Sequence, residues 1–245
     1  MAHPRFFSPA PLAPELAGTA IELHETVAHH AARVLRLAVG DAVTLFDGTG
    51  GEYDASLERI DKRGVGVRLL RYLPVERESP FAVTLAQAVA ANDAMDYAIR
   101  KATELGVTAI QPLVTARSAP LPSGERGERR LAHWRQIAIA GCEQCGRNRV
   151  PDVLAPRHFA DWLGSWNGSG ILMLPDADRV PAAIAQPAPP VALLIGPEGG
   201  FDARESAAAQ AKGFHALRLG PRVLRTDTAA TAGLAVVQLL WGDWR

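Results

Sequence analysis

Five apolar residues in succession, Val191-Ala192-Leu193-Leu194-Ile195, break abruptly into Gly196-Pro197-Glu198-Gly199-Gly200-Phe201. A strand that is apolar at every position, rather than at every second one, is buried on both faces. Such strands lie inside parallel sheets covered by helices. The surrounding pattern agrees. Strands are predicted over Phe81–Ala90, Val107–Val114, Gly170–Leu174, Val191–Ile195 and His215–Leu219. Helices are predicted over Asp93–Leu105, Gly127–Cys145, His158–Trp166, Ala203–Lys212 and Thr228–Leu240. Asp93 and Asp202 sit where an N-cap is expected, and Gly106 where a helix should stop. Strands alternating with helices imply an α/β domain with a mainly parallel sheet.

The first 70 or so residues read differently. Asp41–Phe46 and Glu52–Leu57 carry alternating apolar residues on either side of Asp47-Gly48-Thr49-Gly50-Gly51, which argues for a hairpin. Val65–Leu70 reads as another strand, and Ala28–Leu37 has helical spacing. A small β-barrel domain over residues 1–73 is the expectation. Pro74 to Pro80 forms a polar, proline-bounded linker, and a second domain is expected over 80–245.

The Gly-rich exit after Ile195 can be a bare strand-to-helix turn or a place where backbone approaches a ligand closely. On the second reading a branched side chain at Gly199 should block the site. A second segment of the same kind follows: Leu219-Gly220-Pro221-Arg222-Val223-Leu224-Arg225-Thr226-Asp227-Thr228. Neither contains the Lys-Ser/Thr of a phosphate loop nor the three glycines of a dinucleotide site.

Other chemistries find little support. Cys142 and Cys145 are the only cysteines in 245 residues, too few for a disulfide framework and half of a zinc site. Three apart on a helix, they share a face and read as structural thiols. His24-Glu25 and His29 miss the zinc-protease spacing by one residue, and no serine nucleophile elbow occurs. No metal is expected. The most apolar stretch, Ala229 to Trp241, is too short to span a bilayer, and Met1 to Ala20 lacks a signal-peptide core, so a cytoplasmic protein is expected.

Net charge is zero, which argues against sequence-blind nucleic-acid binding, yet the basic residues are unevenly placed. Only Lys62, Lys101 and Lys212 are lysines, and eight arginines fall between Arg117 and Arg157. Within that cluster Gly146-Arg147-Asn148-Arg149 ends a helix. Its arginines suit either the helix dipole or RNA phosphates and bases.

Together the two Gly-Pro segments resemble the cofactor signatures of the RsmE family, RNA methyltransferases of the knotted SPOUT superfamily. The resemblance continues through Cys142–Pro151 and His29–Arg36. It implies a PUA-like N-terminal β-barrel and a C-terminal α/β domain with a trefoil knot. It also implies S-adenosylmethionine as cofactor, methylation of N3 of one uridine in 16S rRNA of the small ribosomal subunit, and a homodimer with the last helix at its interface. Carried onto this chain, the cofactor residues are Leu174, Ile195, Gly196, Pro197, Glu198, Gly199, Gly200, Leu219, Gly220, Arg222, Val223, Leu224, Arg225 and Thr226. Arg147, Asn148, Arg149, Arg5, Arg33 and Arg36 are the expected RNA contacts. A ribose 2′-O-methyltransferase with the same fold, or a non-catalytic RNA-binding module, is the alternative.

The N3 proton must leave for the reaction to proceed. Glu198 and Asp227 are candidate bases, and Arg225 a candidate for stabilising charge on a uracil oxygen. Glu198 can equally brace its loop, and Asp227 can equally cap the last helix.

Overall fold

The computed structural model describes residues 3–244. The chain divides into two compact units. One holds the residues up to Glu78 together with Cys142–Val150; the other holds Ser79–Gly141 and the chain from Pro151 onward. The segment 142–150, expected in the second domain, therefore belongs to the first unit.

The first unit is built on strands β1 (Arg5–Phe7), β2 (Ala20–Glu22), β3 (Ala42–Phe46), β4 (Glu52–Asp61) and β5 (Gly64–Leu73), ordered β1-β3-β4-β5-β2. β1 runs parallel to β3 and all other pairs are antiparallel. The predicted hairpin is β3–β4. Its turn demands glycine: Gly51 has φ +68°, and a Cβ there would lie 2.1 Å from the Tyr72 hydroxyl. Among the described residues β1 and β2 are the two edges of this ladder. Helix α1 (Glu25–His29), the π-helical turn His30–Val34 and the loop at Leu12–Leu16 cover the core of Phe6, Val43, Leu45, Tyr53, Leu57, Val67 and Leu69. The helix expected over Ala28–Leu37 starts earlier and is over by Arg36, a left-handed residue at φ 54°.

The second unit is a parallel sheet of β6 (Val83–Ala88), β7 (Ala109–Val114), β8 (Asp152–Val153), β9 (Arg157–His158), β10 (Ser169–Met173), β11 (Val191–Ile195) and β12 (Phe214–Leu217). The order is β12-β10-β11-β6-β7-β8, with β9 also on β7. Its helices are α2 (Asn92–Glu104), α3 (Gly124–Cys145, which ends in the first unit), α4 (Phe159–Ser165), α5 (Ala203–Ala211) and α6 (Thr226–Trp241).

Every residue of β11 is buried because both faces are covered. Ala192 and Leu194 share a cluster with Phe159, Trp162 and Leu163 of α4 and Ala209 of α5. Leu193 points the other way, onto α6, where a Cβ on Gly233 would come within 3.0 Å of it. Burying one such Leu is worth about 2 kcal/mol, so polarity is excluded from both faces. Asp202 caps α5 in a reciprocal capping box with Glu205. Asp93 does not cap α2: Ala91 holds that position, and Asp93 lies in the first turn.

Candidate active site

In open α/β sheets ligands bind beyond the C-terminal ends of the strands, where loops to the covering helices diverge. Here the strands β10, β11 and β12 are neighbours, and a cavity of about 960 Å³ opens at their C-terminal ends. Leu174 after β10, Ile195 at the end of β11 with Gly196 to Gly200 after it, and Leu219 with Arg222 to Arg225 before α6 and Thr226 at its start all line it. Of the residues expected to hold a cofactor, only Gly220 is not in the wall; with φ +75° it turns the chain beside it.

The two Gly-Pro exits are tied together by buried polar groups. The Thr226 hydroxyl donates to the Gly196 carbonyl at 2.6 Å and accepts from the Gln87 side-chain amide at 2.9 Å. Gln87, at the end of β6, is 1% exposed and also donates to the Ala88 carbonyl. Side chains from β6 and α6 and the backbone after β11 thus share one hydrogen-bonded knot of atoms. The glycines play different parts. Gly200, at φ +67°, needs the left-handed conformation. Gly199, expected to leave room for a ligand, lines the cavity. A Cβ there would lie 3.3 Å from the side chain of Arg117, which donates to the Gly199 carbonyl.

Glu198, Asp227 and Arg225 all line the cavity. Glu198 Oε1 accepts the Ala91 amide proton at 2.8 Å, a brace between two loops. Asp227 Oδ1 accepts from the amide and hydroxyl of Thr228; the residue is inside the first turn of α6, whose N-cap position is Arg225. The guanidinium groups of Arg222 and Arg225 have no protein partner among the described residues. The wall also contains residues that the sequence did not mark as part of a site, chiefly Asp93, Ala94 and Tyr97 of α2 and Phe201. Asp93 and Tyr97 are four apart, hence on one helical face, which is the only signal that pairs them in the sequence.

The expected RNA residues part company. In the first unit, Arg147 is 4% exposed and Asn148 0%. Arg147 forms a two-pronged ion pair with Glu78. Asn148 donates to the Val75 carbonyl at 2.7 Å and accepts from Arg5 at 2.6 Å. Arg5 also pairs with Glu52 at 2.6 Å and lies over the Phe46 ring. These three side chains are held inside the unit, because burying a guanidinium or amide requires partners for its donors. They are withdrawn as RNA contacts. Arg149 is exposed and pairs with Glu76, and Arg33 and Arg36 are exposed. Cys142 is buried, and burial pushes its thiol up to about 12, so it is an inert packing group. Among the described residues no three His, Cys, Asp or Glu side chains gather as a metal site would require.

Comparisons with known proteins agree with this architecture. Residues 77–238 match a family described as RNA methyltransferase domain, and residues 24–70 match one described as RNA methyltransferase PUA domain. The ribosomal RNA small subunit methyltransferase E of Buchnera aphidicola subsp. Schizaphis graminum is 31% identical over 225 residues, 91% of this chain and 92% of that one. The protein of the same name from Synechocystis is 36% identical and covers 86% of this chain and 70% of its own. Among solved structures, ribosomal RNA small subunit methyltransferase E from Neisseria gonorrhoeae, bound to S-adenosylmethionine, superposes with a TM-score of 0.90. It has 36% identity over 99% of this chain and 100% of that one. A Legionella pneumophila protein solved with the same cofactor gives a TM-score of 0.94 at 37% identity, over 99% of this chain and all of the other. With both domains matched in order, and the Gly-Pro loops meeting at one cavity, the chain belongs to the ribosomal RNA small subunit methyltransferase E (RsmE) family.

Proposed function

We propose that this protein transfers a methyl group from S-adenosylmethionine to N3 of one uridine in 16S rRNA of the small ribosomal subunit. The observation that carries this is the cavity at the strand ends, walled by Ile195–Gly200 and Leu219–Thr226, in a chain whose structural relatives were solved with that cofactor. The residues fit the group. Leu174, Ile195, Leu219 and Leu224 supply an apolar wall for a purine and the carbons around a sulfonium, and the loop after β11 supplies backbone donors and acceptors. When bound, the cofactor supplies a methyl group already activated on a positively charged sulfur.

The chain's own work is then to position and to handle a proton. Thr226 and Gln87 hold the two loops at a set distance, so the wall is formed before the ligand enters. Arg225 faces the cavity without a partner and is placed to stabilise negative charge on a uracil carbonyl oxygen. Glu198 and Asp227 each retain one unbonded carboxylate oxygen in the wall.

Arg33, Arg36 and Arg149 are the RNA contacts we assign to the first unit. A knotted SPOUT topology fits the path by which the segment after β12, at the sheet edge, reaches Thr226 beside β6 and β11. A homodimer fits the outward side of α6, where Thr228, Ala232, Ala235 and Leu239 are small or apolar and at least partly exposed. Among the described residues no helix is long and apolar enough to cross a membrane, as suits an enzyme acting on ribosomes in the cytoplasm.

The test is nucleoside analysis of small-subunit RNA from cells lacking the protein, and of unmodified subunits incubated with the protein and cofactor. Loss of one N3-methyluridine in the first, and its return in the second, is expected. A missing 2′-O-methyl nucleoside would overturn the base-methylation reading, and no change at all would overturn the enzyme.

A further inference from the structure

We infer that Asp93 and Tyr97 form the seat of the target uracil, with Asp93 as the group that takes the N3 proton. This deepens the proposed methylation of uracil N3 and rests on it. Three carboxylates line the cavity: Asp93, Glu198 and Asp227. Two of them already hold their own backbone, Glu198 through the Ala91 amide and Asp227 through Thr228. The Asp93 side chain makes no hydrogen bond and no ion pair among the described residues. It is exposed, in the first turn of a 13-residue helix whose N-cap position Ala91 already fills. A carboxylate with both oxygens open in a ligand-sized cavity is a suitable acceptor for a uracil N–H, whose proton must leave for N3 to be methylated.

Tyr97 lies one turn further along the same face and lines the same cavity, 40% exposed although it is a large aromatic. The Lys101 ammonium lies over its ring, 5.8 Å from the centroid. An enzyme acting on a base edge must take the base out of its stack. An exposed aromatic ring at the cavity then replaces the lost stacking with a contact that any base can make. Selectivity for uracil comes from the polar groups. Asp93 accepts from N3–H, which cytosine lacks, and Arg225, unpartnered in the same wall, donates to a carbonyl oxygen.

The step balances. Asp93 takes the N3 proton, the N3 electron pair forms the new bond to the methyl carbon, and the carbon–sulfur bond breaks with its pair remaining on sulfur. Positive charge is lost from sulfur and one proton is released to solvent when Asp93 is regenerated.

The experiment uses the full chain, unmodified small subunits and S-adenosylmethionine. It measures kcat and KM for methylation against pH, cofactor affinity by calorimetry, and thermal midpoint. In Asp93→Asn and Asp93→Ala, kcat should fall about a hundredfold or more, with cofactor affinity within about twofold of the native protein and the midpoint unchanged. The lost rate should recover in part as pH rises, because solution then removes the N3 proton. Asp93→Glu should restore part of the activity. Tyr97→Ala should raise KM for the subunit about tenfold, and Tyr97→Phe should leave it near native. Native kcat in both Asp93 variants overturns the assignment. So does a rate loss matched by an equal loss of cofactor affinity, which would make Asp93 a cofactor ligand. If the native protein forms no N3-methyluridine under the same conditions, the methylation reading itself fails, and the seat with it.

Discussion

Thr226 joins the two Gly-Pro exits, and a single hydroxyl does the joining. Replacing it with Val keeps the shape but leaves one buried Gln87 amide proton, and the partly buried Gly196 carbonyl, without this partner. Burying such groups unpaired costs about 1–3 kcal/mol. Thr226→Val is therefore expected to lower the thermal midpoint and weaken S-adenosylmethionine binding together. Thr226→Ser, which keeps the hydroxyl, should restore both. Calorimetry and thermal denaturation of the pair decide the point; native affinity in Thr226→Val would separate the loops from the hydroxyl. Thr226 stands out in the sequence because it ends a recognisable segment. Gln87 does not. It sits in the strand Val83–Ala88, where a lone glutamine gives no sign of a partner 139 residues away.

At the scale of an element, the segment from Cys142 to Val150 is the instructive case. Its Arg147 and Asn148 look like RNA contacts in a sequence, because Gly, Arg and Asn together suit phosphates and base edges. The fold gives them protein partners instead: Glu78, Val75 and Arg5. At the centre is Glu52, which receives Arg5 and Arg77. Burial alone would raise its carboxyl; hydrogen bonds from Arg77, Arg5 and Asn148 outweigh burial and hold it down at about 2, against an ordinary 4.5. A folded value below the unfolded one stabilises the protein fully above about pH 4.5, and that stability drains away as pH falls toward 2. The shift is worth roughly 3 kcal/mol. Denaturation midpoints followed from neutral to acid pH should fall for the native chain across this window. Glu52→Gln should start lower at neutral pH and show a shallower fall. Parallel curves for the two would remove Glu52 as the source.

For the whole molecule, the return of residues 142–150 to the first unit changes what truncation can do. A chain begun at Ser79 looks in the sequence like an autonomous second domain after a proline-bounded linker. It would leave Arg147 without Glu78, Asn148 without Arg5 and Val75, and Glu143 without the Phe7 amide. Breaking a buried ion pair by removing one partner costs about 3–5 kcal/mol. The truncated chain is expected to denature at a markedly lower temperature than the full chain and to bind the cofactor more weakly. Equal midpoints in calorimetry would contradict this.

Much was legible before any fold was known. Val191–Ile195 is buried to its last residue, as an unbroken apolar run must be when helices cover both faces of a parallel sheet. The Gly-Pro loops on either side of α5 were legible as strand exits, because glycine and proline act locally; it was their resemblance to the RsmE signatures that joined them as one site. What the sequence left open was which side chains meet. Asp93 read as a cap and proved to face the cavity; the hydrogen bond from Arg117 to the Gly199 carbonyl had no sign in the sequence. Backbone propensity and hydrophobic period act over a few residues, so they write elements into the sequence. Charge pairing, burial of polar groups and cavity walls join residues far apart in the chain, and only the folded structure brings those partners within bonding distance.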